Sequence, residues 1–400
     1  MKPRAIVIFC GLLMSSSAFS VDIMLPSLPS IVDDLAAPYG LVQWTITFYM
    51  AMAGLAQLLW GPLSDRVGRK PALAGGLAIY LAGCLISALA PSIGWLLAGR
   101  LLQGFGGAAA IVLARAVLRD MFSGQELARN LAFATAIFAI GPILAPLAGA
   151  AIAVPLGWRA IFGGLALFAA GLLLVLLRMP ETIRQRVPEA VQPRVIGRRF
   201  VRIWAHPQSR YFLLVSVVIM STMLLILSSI PRIYDVQFDI RGATFALFFA
   251  LHGFGIIIGQ TVNRRLITRV GVVRAMLVGN VVLIASAALI LALSLAGLID
   301  IAVMTALLVL YGTSYLVVYA NATAMVLDPH GDIAGFAAAV FGFTSQIGAS
   351  LIVSVLVLVT GPSPVGFGLA LLGICLFCAT MIVSWLVTQR GRAATAETTR

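Results

Sequence analysis

Twelve apolar runs, each about the length needed to cross a bilayer, divide this chain and leave few folds open to it. A helical crossing takes ~20 predominantly apolar residues. In hydrocarbon, every backbone N–H and C=O must be satisfied within the segment, which selects helices here. The runs lie at about 6–26, 41–60, 72–90, 94–118, 129–153 and 158–178, and then at 208–231, 242–262, 275–296, 300–322, 334–359 and 364–388. Composition agrees: 61% of the residues are hydrophobic and 10% charged, whereas soluble domains carry roughly 25% charged residues. The first run follows Lys2 and Arg4 in the manner of a secretory signal. It is long and further spans follow, so it reads as an uncleaved first span that starts on the inner side.

The net charge of +13 does not mark a nucleic-acid partner, because its distribution is topological. Of the 27 Lys and Arg, 22 fall in loops and tails of one side, three on the other (Arg159, Arg232, Arg241) and two inside spans (Arg100, Arg115). Short basic loops stay cytoplasmic, so both termini are expected inside. The polar stretch 179–207 carries prolines at 180, 188, 193 and 207 and many arginines. The expected division is a six-helix half at 1–178, a cytoplasmic linker at 179–207, a second six-helix half at 208–389 and a cytoplasmic tail at 390–400. The halves are weakly similar, since Gly259, Asn263, Arg264, Arg265, Arg269 and Gly271 form a degraded copy of the loop at 61–70.

That loop, GPLSDRVGRK, joins the second and third spans. Gly61 and Pro62 are expected to break the second helix, with Asp65 in the turn and Arg66, Arg69 and Lys70 holding the loop on the basic side. Elsewhere the chemistry is sparse. Cys10, Cys84, Cys375 and Cys378 all fall within apolar runs, and the CxxC of the last two lacks a second pair, so neither metal nor disulfide is expected. There is no GxxxxGK[ST] stretch and no nucleophile–base arrangement, so neither ATP nor another cofactor drives the protein directly. A membrane enzyme or sensor would need a catalytic constellation or a sizeable soluble domain, and 179–207 is too short to be one.

An ionisable group inside a span costs ~2.5–3.5 kcal/mol on insertion scales and faces a partner or a cavity. Asp22 is the acidic residue the sequence places within a span; Gly11, Ser15, Ala18 and Asp22 share a small, polar helical face. A buried carboxylate exchanges a proton when its surroundings change. The alternative is a solvated Asp at the outer end of the first span, since Pro26 and Pro29 follow. Arg100, Gly104, Gly107, Ile111 and Ala114 share a face of the fourth span, with Gln103 nearby and Arg115 turned about 60° away. Asp22 lies 18 residues, or ~27 Å, beyond Arg4. Arg100 lies near the outer start of its span, so an Asp22–Arg100 pair is expected, with snorkelling of Arg100 as the alternative. Arg115 either snorkels inward or pairs with Asp120. In the fifth span, Pro142 and Pro146 between Gly141 and Gly149 bend the helix and allow close packing. In the second half, Tyr311, Tyr315, Tyr319 and Asn321 fall roughly on one face, either lining a cavity or packing, and His252 and Asn280 are lone polar groups. Asp328, His330 and Asp332 cluster in a loop without a metal motif.

The 61–70 loop resembles the G-x-L-x-D-R-x-G-R-K signature of the major facilitator superfamily through Gly61, Leu63, Asp65, Arg66, Gly68, Arg69 and Lys70. RLLQGFGGAAA, from Arg100 to Ala110, is similar to that superfamily's fourth-span signature. Gly141–Gly149 resembles the fifth-span signature of its drug:proton antiporters, with Ala145 where a Gly is usual. AIGPILAPLAG, DIMLPSLPSI and GDIAGFAAAVFGF look most like the bicyclomycin/chloramphenicol-resistance branch, the Bcr/CflA type. The resemblance implies an all-α membrane protein with the major facilitator fold of twelve transmembrane helices in two six-helix halves. It implies export of small, mostly amphipathic drugs across a bacterial inner membrane in exchange for protons; a monomer without a cofactor is expected. It gives Asp22 and Arg100 the coupling role, and makes Asp65, Arg69 and Asp120 a cytoplasmic charge latch with Gly61, Arg66, Gly68 and Lys70. Some members carry a second acid two turns earlier on the first span, where this chain has Met14. The cavity between the halves is then expected to be lined by Ser15, Phe19, Gln103, Arg115, Phe138, Tyr315 and Tyr319. An uptake symporter of the same fold for organic acids, sugars or amino acids is the rival; the Gly/Pro pattern of the fifth span and the scarcity of carboxylates within spans weigh against it.

Overall fold

The computed structural model describes residues 2–183, 185–361 and 363–398, with side chains up to residue 389. The first span is α1 (Pro3–Asp22), a 3-10 turn (Leu25–Ser27) and α2 (Leu28–Leu35). Pro26 and Pro29 lack the N–H groups that would carry α1 onward, so the helix breaks there and then resumes. The next three spans are α3 (Tyr39–Val67), α4 (Arg69–Ala88) and α5 (Ile93–Met121). The fifth is split into α6 (Gly124–Ala139) and α7 (Gly141–Leu156), and the sixth is α8 (Trp158–Leu177). The second half contains α10 (Pro207–Phe238), α11 (Gly242–Val270), α12 (Val272–Leu295), α13 (Ile301–Leu327), α14 (Ala334–Thr360) and α15 (Pro364–Thr398). The described residues hold 11 helical stretches long and apolar enough to cross a membrane. One of them, Ile301–Thr360, is 60 residues long and turns back at Asp328–Ile333, so it crosses twice.

Two expectations change. Gly61 and Pro62 do not end the second helix: α3 runs through them to Val67, and Asp65 lies in its last turn. A proline costs the helix one backbone hydrogen bond, and packing of α3 on α5 holds the helix through it. The link is instead the single residue Gly68, at φ 112°, ψ 157°, where a side chain would be strained. The polar linker, in turn, contains a helix, α9 (Pro193–Ala205). Ile196, Phe200, Ile203 and Trp204 recur at helical spacing and are buried or half-buried, while Arg194, Arg198 and Arg202 face out and Arg199 is half-buried against a cavity at the start of α14. Phe200 meets Phe343 of α14 with ring centroids 6.0 Å apart, and Arg202 bonds Asp332 at 2.7 and 3.0 Å. The stretch 390–400 continues α15 as far as Thr398, and 399–400 lie outside the described residues.

The end of the bundle that carries Gly68 and Met121 also carries Arg66, Arg69, Lys70, Arg119 and Arg129, and is the basic end. The halves meet along two seams, α3 against α14 and α7 against α11. A Cβ on Gly342 would strike Gln57, and one on Gly253 would lie 2.8 Å from Ile143, so both seams are tight at mid-bundle. At the end away from the basic one, Gln43 Nε2 and Tyr39 Oη both donate to Ser228 O, across the halves. Arg241 lies 3.9 Å from Asp33 there. On the α7–α11 flank, α6 and the basic-end half of α11 are largely exposed.

Candidate functional site

Asp22 is the last residue of α1, 6% exposed, at the break before the 3-10 turn. No ion pair or hydrogen bond to its side chain is found among the described residues. It is not at the outer end of its span, because helical structure continues to Leu35. The fifth span closes over this place. Pro142 cannot donate to Phe138 O, α6 stops at Ala139, and α7 starts beyond Ile140. A Cβ on Gly141 would lie 2.8 Å from Ala18 Cβ, and one on Gly149 would overlap the backbone carbonyl of Ile23. The glycines therefore let α7 ride directly on α1 on either side of Asp22.

The structure does not join Asp22 to Arg100. Arg100 is fully buried, which removes the snorkelling alternative as well. Its Nε donates to Thr45 O at 3.1 Å and its Nη1 to Gln103 Oε1 at 2.6 Å, and its guanidinium lies over the Tyr49 ring, 4.4 Å from the centroid. Gln103 is likewise fully buried and donates onward to Cys84 Sγ at 3.0 Å. Tyr49 reaches Ser17 Oγ at 3.4 Å, and Ser20 and Tyr80 share a 2.6 Å hydrogen bond. Arg100 is thus tied to α3 directly and to α4 through Gln103 of its own helix, and its Nη2 is buried without a partner among the described residues. Tyr49, Tyr80 and Thr45 were not singled out from the sequence; only their position within spans distinguishes them there.

Of the residues expected around the cavity, Arg115 is exposed although it lies in α5 six residues before the helix ends, and it stands within electrostatic reach of Tyr319 from the other half. Tyr319 stacks on Tyr315, centroids 5.5 Å apart, and the Tyr315 hydroxyl donates to Met220 Sδ at 3.3 Å. Arg115 makes no pair with Asp120, which Arg69 occupies. Ser15 is turned into its own helix, donating to Gly11 O at 2.9 Å. Phe19 lies against Phe168 of α8, centroids 6.2 Å apart, behind α1, and Phe138 packs half-buried within the first half. Nor do these side chains of α13 share one face: Tyr311 turns to Cys375 at 3.2 Å and Asn321 to Asn263 at 2.8 Å. Steps of four residues drift ~40° each, so Tyr311 and Tyr319 diverge. Asp22 is also not alone as a buried acid. Asp235, within the longer α10, has a 1% exposed side chain held by Arg232 at 2.9 Å and by Arg241.

At the basic end, Arg69 is nearly buried. Its Nη1 donates to Asp65 Oδ1 and Ser64 Oγ, both at 2.6 Å, and its Nε to Asp120 Oδ2 at 2.8 Å. The triad therefore ties α3, α4 and α5 together within one half. Lys70 Nζ donates to Leu177 O at 2.9 Å, and Arg66 is exposed. Across from the triad, Asp65, Arg69 and Arg119 share a cavity of about 280 Å³ with Gly331–Phe336, the end of the 3-10 turn and the start of α14. Glu181, which the sequence did not flag, accepts the backbone N–H groups of Arg69 and Lys70 at 2.9 and 3.1 Å, capping the open start of α4. Burial pushes its carboxyl up and four backbone N–H groups pull it down; the balance holds it below the ordinary carboxylate value.

Twelve crossings among the described residues, with charged side chains buried in the bundle and a cation exposed between the halves, define a secondary membrane transporter. A model of the Major Facilitator Superfamily matches residues 9–353. The chain belongs to that superfamily. The bicyclomycin resistance protein homolog of Haemophilus influenzae is 30% identical over 268 residues, 66% of this chain and 67% of the relative. The chloramphenicol resistance protein of Pseudomonas aeruginosa is 27% identical over 391 residues, 95% of this chain and 90% of the relative. Among solved structures, the partially occluded inward open xylose transporter XylE from E. coli aligns with a TM-score of 0.73 at 13% identity. That alignment covers 95% of this chain and 96% of the other, a likeness of fold.

Proposed function

We propose that this protein is a proton-coupled exporter of small amphipathic drugs, of the bicyclomycin/chloramphenicol-resistance type. It acts in a bacterial inner membrane as a monomer, with the basic end and both termini in the cytoplasm. It is a carrier and not an enzyme, and needs no cofactor. The observation that carries the reading is Asp22, a buried carboxylate without a partner among the described residues, roofed by the Gly141–Gly149 segment. Such a group is free to exchange a proton when its surroundings change, and an intramembrane acid without a structural partner is functional by default. The names of the relatives support the cargo class.

Alternating access needs two arrangements of the halves. The end away from the basic one is closed by Gln43, Tyr39 and Ser228 and by the Asp33–Arg241–Asp235 ions. The exposure of α6 and of the basic-end half of α11 suits entry from the cytoplasm. Closing the basic end would bring Asp65 across the 280 Å³ cavity to the N-terminus of α14, where the helix dipole favours a carboxylate. Arg115, Tyr315 and Tyr319 would line the path, and Arg100 would set the electrostatics behind it without touching Asp22.

The test is drug movement in sealed vesicles under an imposed pH gradient, with a panel of antibiotics and dyes. Gradient-driven export of amphipathic drugs is expected. Movement of organic acids, sugars or amino acids instead, with no drug moved, would replace the reading with an uptake symporter.

A further inference from the structure

A cavity of about 700 Å³ opens at the basic end between the starts of α1 and α6. Lys2, Arg4 and Arg129 stand around it with one carboxylate, Glu126. None of these four side chains has an ion pair or hydrogen bond among the described residues, although Arg69 and Arg202 on the same face are paired. Below this rim the walls turn apolar. Ile8 and Phe133 line the cavity and are 46% and 53% exposed. Leu12 (38% exposed) continues the Ile8 face of α1 four residues on, and Ile140 (45%) stands seven residues beyond Phe133, at the break after α6. From Lys2 to Leu12 the rise is ~15 Å, half the depth of the hydrocarbon.

We infer that this cleft is a site for an anionic phospholipid of the cytoplasmic leaflet. Its phosphate sits among Lys2, Arg4 and Arg129, and one acyl chain lies along Ile8, Leu12, Phe133 and Ile140. Basic pockets between helices at the cytoplasmic surface attract acidic headgroups, and a zwitterionic headgroup would set its own cation against these three. The apolar stripe distinguishes a lipid from a free phosphate, which would use the rim alone. The cleft lies on the α1–α6 contact, and the stripe ends at the break between α6 and α7, so an occupant braces the inner part of the fifth span. The inference rests on the orientation proposed above, with the basic end in the cytoplasm, and not on the cargo or the coupling ion.

The test is native mass spectrometry of the delipidated full chain in detergent, titrated with phosphatidylglycerol, phosphatidylcholine or glycerol 3-phosphate. Phosphatidylglycerol is expected to bind in preference to phosphatidylcholine, and glycerol 3-phosphate not to bind over the same range. Each cation near an anionic headgroup contributes about fivefold, so Arg4→Gln/Arg129→Gln is expected to weaken binding about 25-fold. Both side chains are exposed, and an unchanged melting temperature of the lipid-free variant establishes that it is folded. Equal binding of the two lipids, or wild-type binding of phosphatidylglycerol by the variant, would overturn the inference. Equal competition by glycerol 3-phosphate would reduce the site to a phosphate site and overturn the lipid assignment. Since no drug or pH gradient enters the assay, a failure here is distinct from a failure of the transport reading.

Discussion

Substituting Gly141 by Ala tests whether close approach of α7 to α1 positions the roof over Asp22. The added Cβ would lie 2.8 Å from Ala18 Cβ. Non-bonded carbons sit at ~3.5–4.0 Å, so the overlap is about 1 Å. Overpacking of this kind costs roughly 1–3 kcal/mol. A Gly-to-Ala change in a helix interior returns up to about 1 kcal/mol, but Gly141 is the first residue of α7 and gains little. The net expectation for Gly141→Ala is a loss of roughly 1–2 kcal/mol, with slowed transport. Ala18→Gly by itself costs about 1 kcal/mol of helix propensity. Together the two remove the clash, so the double variant should be more stable than the sum of the singles by roughly 1–2 kcal/mol. Unfolding in detergent for the four proteins of this cycle gives the coupling, and vesicle transport shows whether rate follows it. Additivity within about 0.5 kcal/mol, or a Gly141→Ala protein with wild-type stability and rate, would show that the approach of α7 to α1 does not position the roof.

Asp120→Ala leaves the nearly buried Arg69 half-paired and should cost roughly 2–3 kcal/mol in melting, whereas Asp65→Ala, at a more exposed carboxylate, should cost about 1 kcal/mol or less. Arg100→Lys should lose roughly 1–3 kcal/mol, because an ammonium cannot reach both Thr45 O and Gln103 while covering the Tyr49 ring. Glu181→Ala should melt lower than wild type by an amount that depends on pH in a defined way. With the folded carboxyl held below its ordinary value, its contribution is fully present above the ordinary Glu value of ~4.3 and is lost as pH falls through the lower folded value. The melting difference should therefore be constant from about pH 8 to 5 and shrink only below about pH 4.3; a difference that vanishes near neutral pH would contradict the cap.

The crossings were legible because twenty-residue apolar runs have few structural outcomes. Their fine boundaries were not, since apolar composition does not say whether a helix survives its proline. Pro62 sits inside α3 while Pro142 falls at a true break, and neighbouring packing decides between the two. Asp22 and Arg100 both stood out as charges in spans. Their relation did not, because depth along two helices fixes height but not azimuth. Arg100 was within reach of Tyr49 and Thr45, ordinary residues of a neighbouring span with no distinguishing pattern. The helix in the linker was present as Ile196, Phe200, Ile203 and Trp204 at helical spacing, masked by the arginines between them. Glu181 and Asp235 depend on contacts that only the folded chain makes: two backbone N–H groups across 112 and 111 residues, and two arginines on either side of a helix end.

In the proposed cycle, Asp22 exchanges the proton that moves with the drug. Vesicles loaded with a transported drug and a lumenal pH dye, containing either wild type or Asp22→Asn, test it most directly. As drug leaves through the wild-type protein, protons should enter and the lumen should acidify. The Asp22→Asn vesicles should show no drug-linked pH change, whether or not drug still leaks down its gradient. Drug-linked acidification that persists in Asp22→Asn would contradict the claim and place the coupling site elsewhere in the chain.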